Sequence, residues 1–200
     1  MKRRDPHQWV KTRQQDQFFI KAKQEGYRAR SAYKLIEIHE KYKIVHGHIL
    51  DLGAAPGAWL QVAKKLGAQP EGIDLLEIQP IYSVRTLKAD IFSQETKEFI
   101  GNNIYDTILC DIAPNCSGQK EHDHLVLMNI VYEVLQLSEQ HLKNGGNICI
   151  KIFDGATFNE FFAKFKECFE KSYRFKPKAS CNDSVEFYLI GCGLKINKTI

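Results

Sequence analysis

The sequence contains no apolar run near the roughly 20 residues that a bilayer-spanning helix requires, so no membrane segment is expected. Its amino terminus has no apolar stretch of the secretory kind, which speaks against export. The six cysteines (Cys110, Cys116, Cys149, Cys168, Cys181, Cys192) form no C-x-x-C pair, and several sit in apolar runs, as Cys110 does in Thr-Ile-Leu-Cys. That scatter excludes a disulfide scaffold and predicts reduced thiols in or near a core. His122 and His124 flank Asp123, but no further His or Cys stands at ligand spacing, so a solvated loop and no metal are expected there. A G-x-G-x-x-G segment is also missing, which removes the usual pyrophosphate cradle and disfavours a nicotinamide-dependent dehydrogenase. Internal repeats and low-complexity stretches are absent as well.

What is present is a chain of 200 residues, 44% hydrophobic and 26% charged, enough for one core without metal or disulfide support. The net charge of +4 is unevenly placed. Residues 1–34 hold ten Lys/Arg against three acids, a balance of +7, and the other 166 residues sum to −3. A basic lead-in ahead of a slightly acidic remainder points to a polyanion partner such as RNA, and the chain divides into an N-terminal arm (1–25) and a body (26–200). A mitochondrial targeting segment is the other meaning of such an arm.

From His48 onward, short β-branched runs alternate with helical patterns, the mark of parallel βαβ units in a doubly wound α/β domain. Strands are expected at 49–52, 72–74, 86–88, 105–110, 147–153, 173–176 and 185–190. Helices are expected at 31–42 and 58–66, and along an apolar stripe from Leu127 to Leu142 that Gly145-Gly146 would stop. A last helix carries Phe158, Phe161, Phe162, Phe165 and Phe169, an aromatic stripe best read as core.

Asp51-Leu-Gly-Ala-Ala-Pro-Gly-Ala-Trp59 lies between the first strand and its helix, where glycines let the backbone approach a ligand. Asp74 ends the second strand and is placed to accept from ribose hydroxyls. Asp90 ends the third, where a carboxylate meets an adenine amino group. Acids after three consecutive strands suit a nucleoside with an amino-acid tail and no phosphate, S-adenosylmethionine rather than NAD.

Five segments then occur in order: Gly26-Tyr-Arg-Ala-Arg-Ser-Ala-Tyr-Lys34-Leu, Asp51 to Trp59, Cys110-Asp-Ile-Ala-Pro-Asn115 with Ser117-Gly118, Lys151-Ile-Phe-Asp-Gly155, and Ser184-Val-Glu186-Phe-Tyr188. Together they resemble the FtsJ/RrmJ-type RNA ribose 2′-O-methyltransferases from about residue 8 to 191, and the lead-in 16–27 looks closest to the bacterial enzymes acting on large-subunit ribosomal RNA. The resemblance implies a single Rossmann-like S-adenosylmethionine-dependent domain, mostly parallel with an antiparallel last strand, acting as a monomer in the cytoplasm without metal. It implies a catalytic tetrad of Lys34, Asp111, Lys151 and Glu186, and cofactor contacts at Gly57, Trp59, Asp74, Asp90 and Asp111. It further implies a uridine target in the large ribosomal subunit, with transfer RNA the alternative substrate. Lys151 would be the base, Asp111 would orient it, Lys34 would hold the substrate sugar or phosphate, and Glu186 would fix the lysines.

Two departures stand out. Gly57-Ala-Trp-Leu60 replaces the family's Gly-Gly-Trp-Ser, and Ala179 to Val185 carries none of the arginines found there in bacterial relatives. An amino-group methyltransferase would place an aromatic after the fourth strand, where this chain has Asp111-Ile-Ala-Pro-Asn115. A non-catalytic ribosome-assembly factor of the same fold is disfavoured because all four tetrad residues are present.

Overall fold

A computed structural model of the chain describes residues 16–113, 120–153, 155, 157–180 and 185–195. Among them are six helices and seven strands. The helices are α1 (Gln17–Gln24), α2 (Ala32–Tyr42), α3 (Ala58–Lys65), α4 (Gln94–Ile100), α5 (Lys120–His141) and α6 (Phe158–Cys168). The strands are β1 (His48–Leu52), β2 (Gln69–Asp74), β3 (Arg85–Lys88), β4 (Tyr105–Cys110), β5 (Leu142–Phe153), β6 (Phe169–Phe175) and β7 (Glu186–Leu194). They form one sheet of order β3-β2-β1-β4-β5-β7-β6. Every pairing is parallel except those of β7, which runs antiparallel to both β5 and β6. The chain moves outward from β1 to β3, then returns to β4 beside β1. That reversal opens a crevice at the carboxyl ends of the strands, where doubly wound folds bind ligands.

Period-two alternation sends each strand's side chains to two different cores. Ile49, Leu109, Cys149, Tyr188 and Ile190 face α2 and α3, meeting Leu35, Ile38, Trp59 and Val62. Leu50, Ile108, Ile150, Phe187 and Leu189 face the other way, onto α5 and α6. There Phe158, Phe161, Phe165 and Phe169 pack as core, as their spacing predicts. Phe161 meets Tyr132 edge-on, with ring centroids 5.1 Å apart, and Phe165 meets Phe169 at 4.9 Å.

Several boundaries differ from the sequence expectation. The long helix ends at His141, so Leu142 and Gly145-Gly146 lie inside β5 rather than closing the helix. Leu142 pairs with Tyr105 of β4, and that strand pairing overrides the helical spacing of the stripe. His122 and His124 fall in the first turns of α5, not in a loop, and His124 Nε2 meets Thr157 Oγ1 at 2.8 Å. The arm's latter half is helix α1, capped by Asp16, whose carboxylate accepts from Phe18 and Phe19 N–H, with Ala22 buried against Tyr33 and Ala179. Residues 1–15, Asn115, Cys116, Ser117, Gly118, Cys181 and Ser184 lie outside the described residues.

Phe161 is fully buried and bridges α5 to the aromatic ladder. Phe161→Ala is expected to lower unfolding free energy by about 3–5 kcal/mol in urea titration, with the m-value unchanged. A loss under about 1 kcal/mol would show that the stripe is not core.

Candidate active site

The sheet register assembles the four expected catalytic residues. Lys151 of β5 stands opposite Tyr188 of β7, so both side chains share one face, and Glu186 lies on that face two residues before Tyr188. Cys110 pairs with Ile150, which brings Asp111, the next residue, alongside Lys151. Lys34 reaches the same place from the first turn of α2. Lys34, Asp111, Lys151 and Glu186, separated by up to 152 residues, thus meet beyond the carboxyl end of β4.

They meet as two ion pairs. Lys151 Nζ lies 3.0 Å from Asp111 Oδ1 and donates to the Asp111 carbonyl at 2.5 Å. Lys34 Nζ donates to Glu186 Oε1. Lys151 is 5% exposed and Lys34 9%, so each ammonium has left water and needs its carboxylate. Burial alone would raise the Glu186 carboxyl. The Lys34 ammonium, aided by Lys151, outweighs it and holds the group below the ordinary value.

Tyr188, quoted in the sequence only as part of a motif, joins the two pairs. Its hydroxyl donates to Asp111 Oδ1 at 2.7 Å, the oxygen that Lys151 also contacts. The Lys34 ammonium stands 5.7 Å from its ring centroid. Burial, reinforced by Asp111, pushes the Tyr188 phenol well above its usual range, so it remains a donor.

Beside this cluster lies a cavity of about 1060 Å³. Gly53, Asp74, Asp90 and Asp111 line its strand side, and Asn129 and Glu133 of α5 line the far side. Asp74 is held by two backbone donors, Ala55 N–H at 2.9 Å and Leu76 N–H at 2.7 Å, and Asp90 accepts from Phe92 N–H at 3.0 Å. Gly53 adopts φ +77, and a Cβ there would sit 2.5 Å from Ile112, so only glycine lets this turn reach the segment after β4. The charged residues of the wall are Asp74, Asp90, Asp111 and Glu133, with no Lys or Arg among the described lining residues. Such a wall suits a cationic nucleoside ligand and repels a diphosphate. The residues therefore fit S-adenosylmethionine better than a dinucleotide.

Two expected cofactor residues are not brought to that wall. Gly57 starts α3 with φ +104, and its missing Cβ leaves room for the Arg28 guanidinium, which a Cβ would approach to 2.8 Å. Trp59 is buried behind the turn. Its indole N–H donates to Ser31 O at 2.8 Å, and its ring lies 5.8 Å from Tyr188. Trp59 therefore fixes the start of the helix that carries Lys34.

Arg28 escaped the sequence, and Asp51, expected as the acid of the first strand beside the nucleoside, is not among the residues lining the cavity. Arg28 donates to the carbonyls of Pro56, Gln79 and Pro80 at 2.9, 2.6 and 2.9 Å, stapling the cofactor turn to the loop after β2. Asp51 points into the α2–α3 core at 1% exposure, and neither carboxylate oxygen has a hydrogen-bond partner among the described residues. Burial, with Asp111 and Asp74 nearby, raises its pKa well above the ordinary value. Among the described residues, no group of three or more His, Cys, Asp or Glu could hold a metal ion, and no helix is long and apolar enough to cross a membrane.

The reversal of strand order and the acid-lined cavity at it define a Rossmann-like nucleoside-binding domain, and the lysine–carboxylate cluster beside the cavity marks it as an enzyme of group transfer. The sequence profile of the FtsJ-like methyltransferase family matches residues 27–194, and the chain belongs to that family. It is 42% identical over 183 residues to a protein of Methanococcoides burtonii named ribosomal RNA large subunit methyltransferase E, a match covering 88% of this chain and 68% of that one. A protein of the same name from the Wolbachia of Brugia malayi is 38% identical over 192 residues, covering 94% and 89%. A crystal structure described as that of a ribosomal RNA methyltransferase from Plasmodium falciparum superimposes with a TM-score of 0.75 at 30% identity, over 84% of this chain and 98% of that one.

Because the folded chain raises the pKa of Asp51, the contribution of this group to stability is fully present only below the ordinary value of 3.8 and is lost as pH rises toward its folded value. Asp51→Asn removes that titration. The melting-temperature gain of the variant over the wild type is expected to grow from about pH 4 to about pH 8. A gain that stays constant with pH would refute the assignment.

Proposed function

We propose that the chain transfers a methyl group from S-adenosylmethionine to a ribose 2′-hydroxyl of RNA, at a uridine of large-subunit ribosomal RNA. The reading rests on one observation. Asp111 belongs both to the cavity wall and to the Lys151 pair, so a bound nucleoside and a lysine base share one boundary residue. Asp74 would hold the cofactor ribose hydroxyls, Asp90 the adenine amino group, and Asp111 the part nearest the reacting centre. When bound, the cofactor supplies an activated methyl group on sulfur.

A ribose hydroxyl holds its proton tightly near neutral pH, so the protein must align its oxygen and remove the proton. Lys151 can take it only as the neutral amine, so the ammonium must first give up its own proton; Asp111 then orients the nitrogen through both a carboxylate oxygen and a carbonyl. Tyr188 fixes the carboxylate by donating to the shared oxygen, so Asp111 cannot swing away as the proton moves. Lys34, restrained by Glu186, offers a second cation for the sugar or the adjoining phosphate. The names of the Methanococcoides and Wolbachia relatives support the choice of large-subunit ribosomal RNA.

The test is methyl transfer from labelled S-adenosylmethionine to large ribosomal subunits, with the product nucleoside mapped. The wild type is expected to yield a 2′-O-methyl ribose, and Lys151→Ala to lose about 10²–10⁴-fold in rate. Methylation of a base nitrogen would overturn the reading, and a wild-type rate in the variant would remove Lys151 as the base.

A further inference from the structure

One aromatic side chain stands where folding gives no reason for it. Tyr82 is 88% exposed, in the loop after β2, yet that loop is firmly held. Arg28 binds its carbonyls at Gln79 and Pro80, while Ile78, Ile81 and Val84 pack on Ala54 and Leu60. Ser83, the next residue, takes the left-handed conformation at φ 55, a mild strain for a residue with a side chain. Exposed loop tips commonly carry small polar residues, whereas here a rigid backbone presents a phenol ring to solvent.

Lysines accompany it. Lys64 Nζ stands 4.8 Å from the Tyr82 ring centroid and donates to the Tyr82 carbonyl. Lys65, its neighbour on α3, stands 5.2 Å from the Tyr27 centroid. Neither lysine has a carboxylate within salt-bridge distance among the described residues. Tyr27 in turn meets Tyr33 edge-on at 5.8 Å, and Lys21 of α1 lies over Tyr33 at 4.7 Å, with Glu25 3.8 Å from the same ammonium. Aromatic rings and lysines therefore alternate from α1, across the turn into α2, and over α3 to the loop after β2.

We infer that this track is a second RNA contact outside the tetrad, taking a single-stranded flank of the substrate: Tyr82 stacks on an unpaired base, and Lys64 and Lys65 bind two phosphates. The inference rests on the RNA reading of the site. Its chemistry follows from what the surface offers, since stacking on an exposed ring accepts any base, and ammonium groups with no carboxylate partner among the described residues suit a backbone of repeated negative charge. A folded peptide partner would need broad apolar burial, and next to these lysines the surface offers only the Tyr82 ring and the half-exposed Leu66 at the end of α3. The acid-lined cavity repels phosphate, so a flank leaving the tetrad is steered toward this positive side.

Binding of the full-length protein to a labelled single-stranded segment of large-subunit ribosomal RNA, titrated with salt, tests this. Lys64→Gln/Lys65→Gln is expected to lower the slope of log affinity against log salt by about 1.4, the release from two single-strand phosphates. Tyr82→Ala should weaken binding about tenfold with the slope unchanged, and Tyr82→Trp should restore it. Cofactor affinity, measured by calorimetry, reports whether each variant is folded. Lys41→Gln is the charge control, because Lys41 lies over Tyr42 and Phe175 at the opposite end of α2. Wild-type slope and affinity in the track variants, or an equal loss in the Lys41 control, would overturn the inference while leaving methyl transfer intact. A wild type that binds this RNA with the expected variant pattern but methylates no ribose would retain the track and sink the catalytic reading. A wild type that does not bind this segment would overturn the track and leave the catalytic reading to the test on ribosomal subunits.

Discussion

A buried ammonium needs a partner that does not move, and in this molecule Asp111 supplies it to Lys151. The lysine lies in the interior end of β5, where an unpaired charge would be costly enough to unfold a marginal domain. Asp111 meets it with two acceptors on one residue, and the Tyr188 hydroxyl occupies the remaining approach to Oδ1. None of these groups is held by a flexible loop on its own. Lys151 and Tyr188 are a cross-strand pair, and Asp111 N–H donates to Leu52 O at 3.2 Å, tying the end of β4 to β1. The same Asp111 lines the cavity, so the geometry of the Lys151 ammonium and that of the cavity wall are set by one strand end.

Charge is divided on either side of that strand end. On the cavity wall the charged groups are carboxylates, and toward α2 and β7 the lysines stand paired with acids of their own. A cationic cofactor and a polyanionic substrate can then occupy adjoining sites without competing for either one. Asp51 belongs to the same arrangement from below. Buried with no hydrogen-bond partner among the described residues, it avoids adding another negative charge by keeping its proton, which burial and the nearby acids Asp111 and Asp74 favour.

The parts of this site that could be read from the sequence are those written as exceptions to a local pattern. Lys151 follows four residues of a buried strand and Glu186 precedes another, so a charge in an apolar run announced each. Asp74 and Asp90 were legible because acids after successive parallel strands have few other reasons to recur. The direction of Trp59 was not legible, since its indole turns to Ser31, a backbone atom 28 residues away. The three carbonyls around Arg28 likewise come together only through loop packing across 28 to 52 residues. In the fold, the short helices α1 and α4 span too few residues for apolar periodicity to emerge, leaving the caps Asp16 and Ser93 as the only local signals. Gly145-Gly146 misled because glycine both ends helices and bends strands, and here the pairing of β5 with β4 decided which.

The segment 26–31 shows why the arm and the active site are one mechanical unit. Gln61 of α3 grips it through a side-chain bond to Gly26 O at 3.0 Å and accepts from Arg28 N–H at 2.9 Å, while Arg28 holds the cofactor turn. Arg30 turns to the other side, pairing with Asp16 at the cap of α1 and donating to Ala179 O at 2.5 Å. Glu37 completes that side by accepting from Lys178 and Ala179 N–H at 2.7 and 2.9 Å. The six residues thus lie clamped between the cofactor turn and the start of the connection into β7, and Lys34 follows three residues later. The lead-in, the turn after β1 and the helix that carries Lys34 are thereby joined through one clamp. A second contact from the arm to the chemistry runs from Ala22 and Lys21 of α1 to Tyr33, the residue before Lys34.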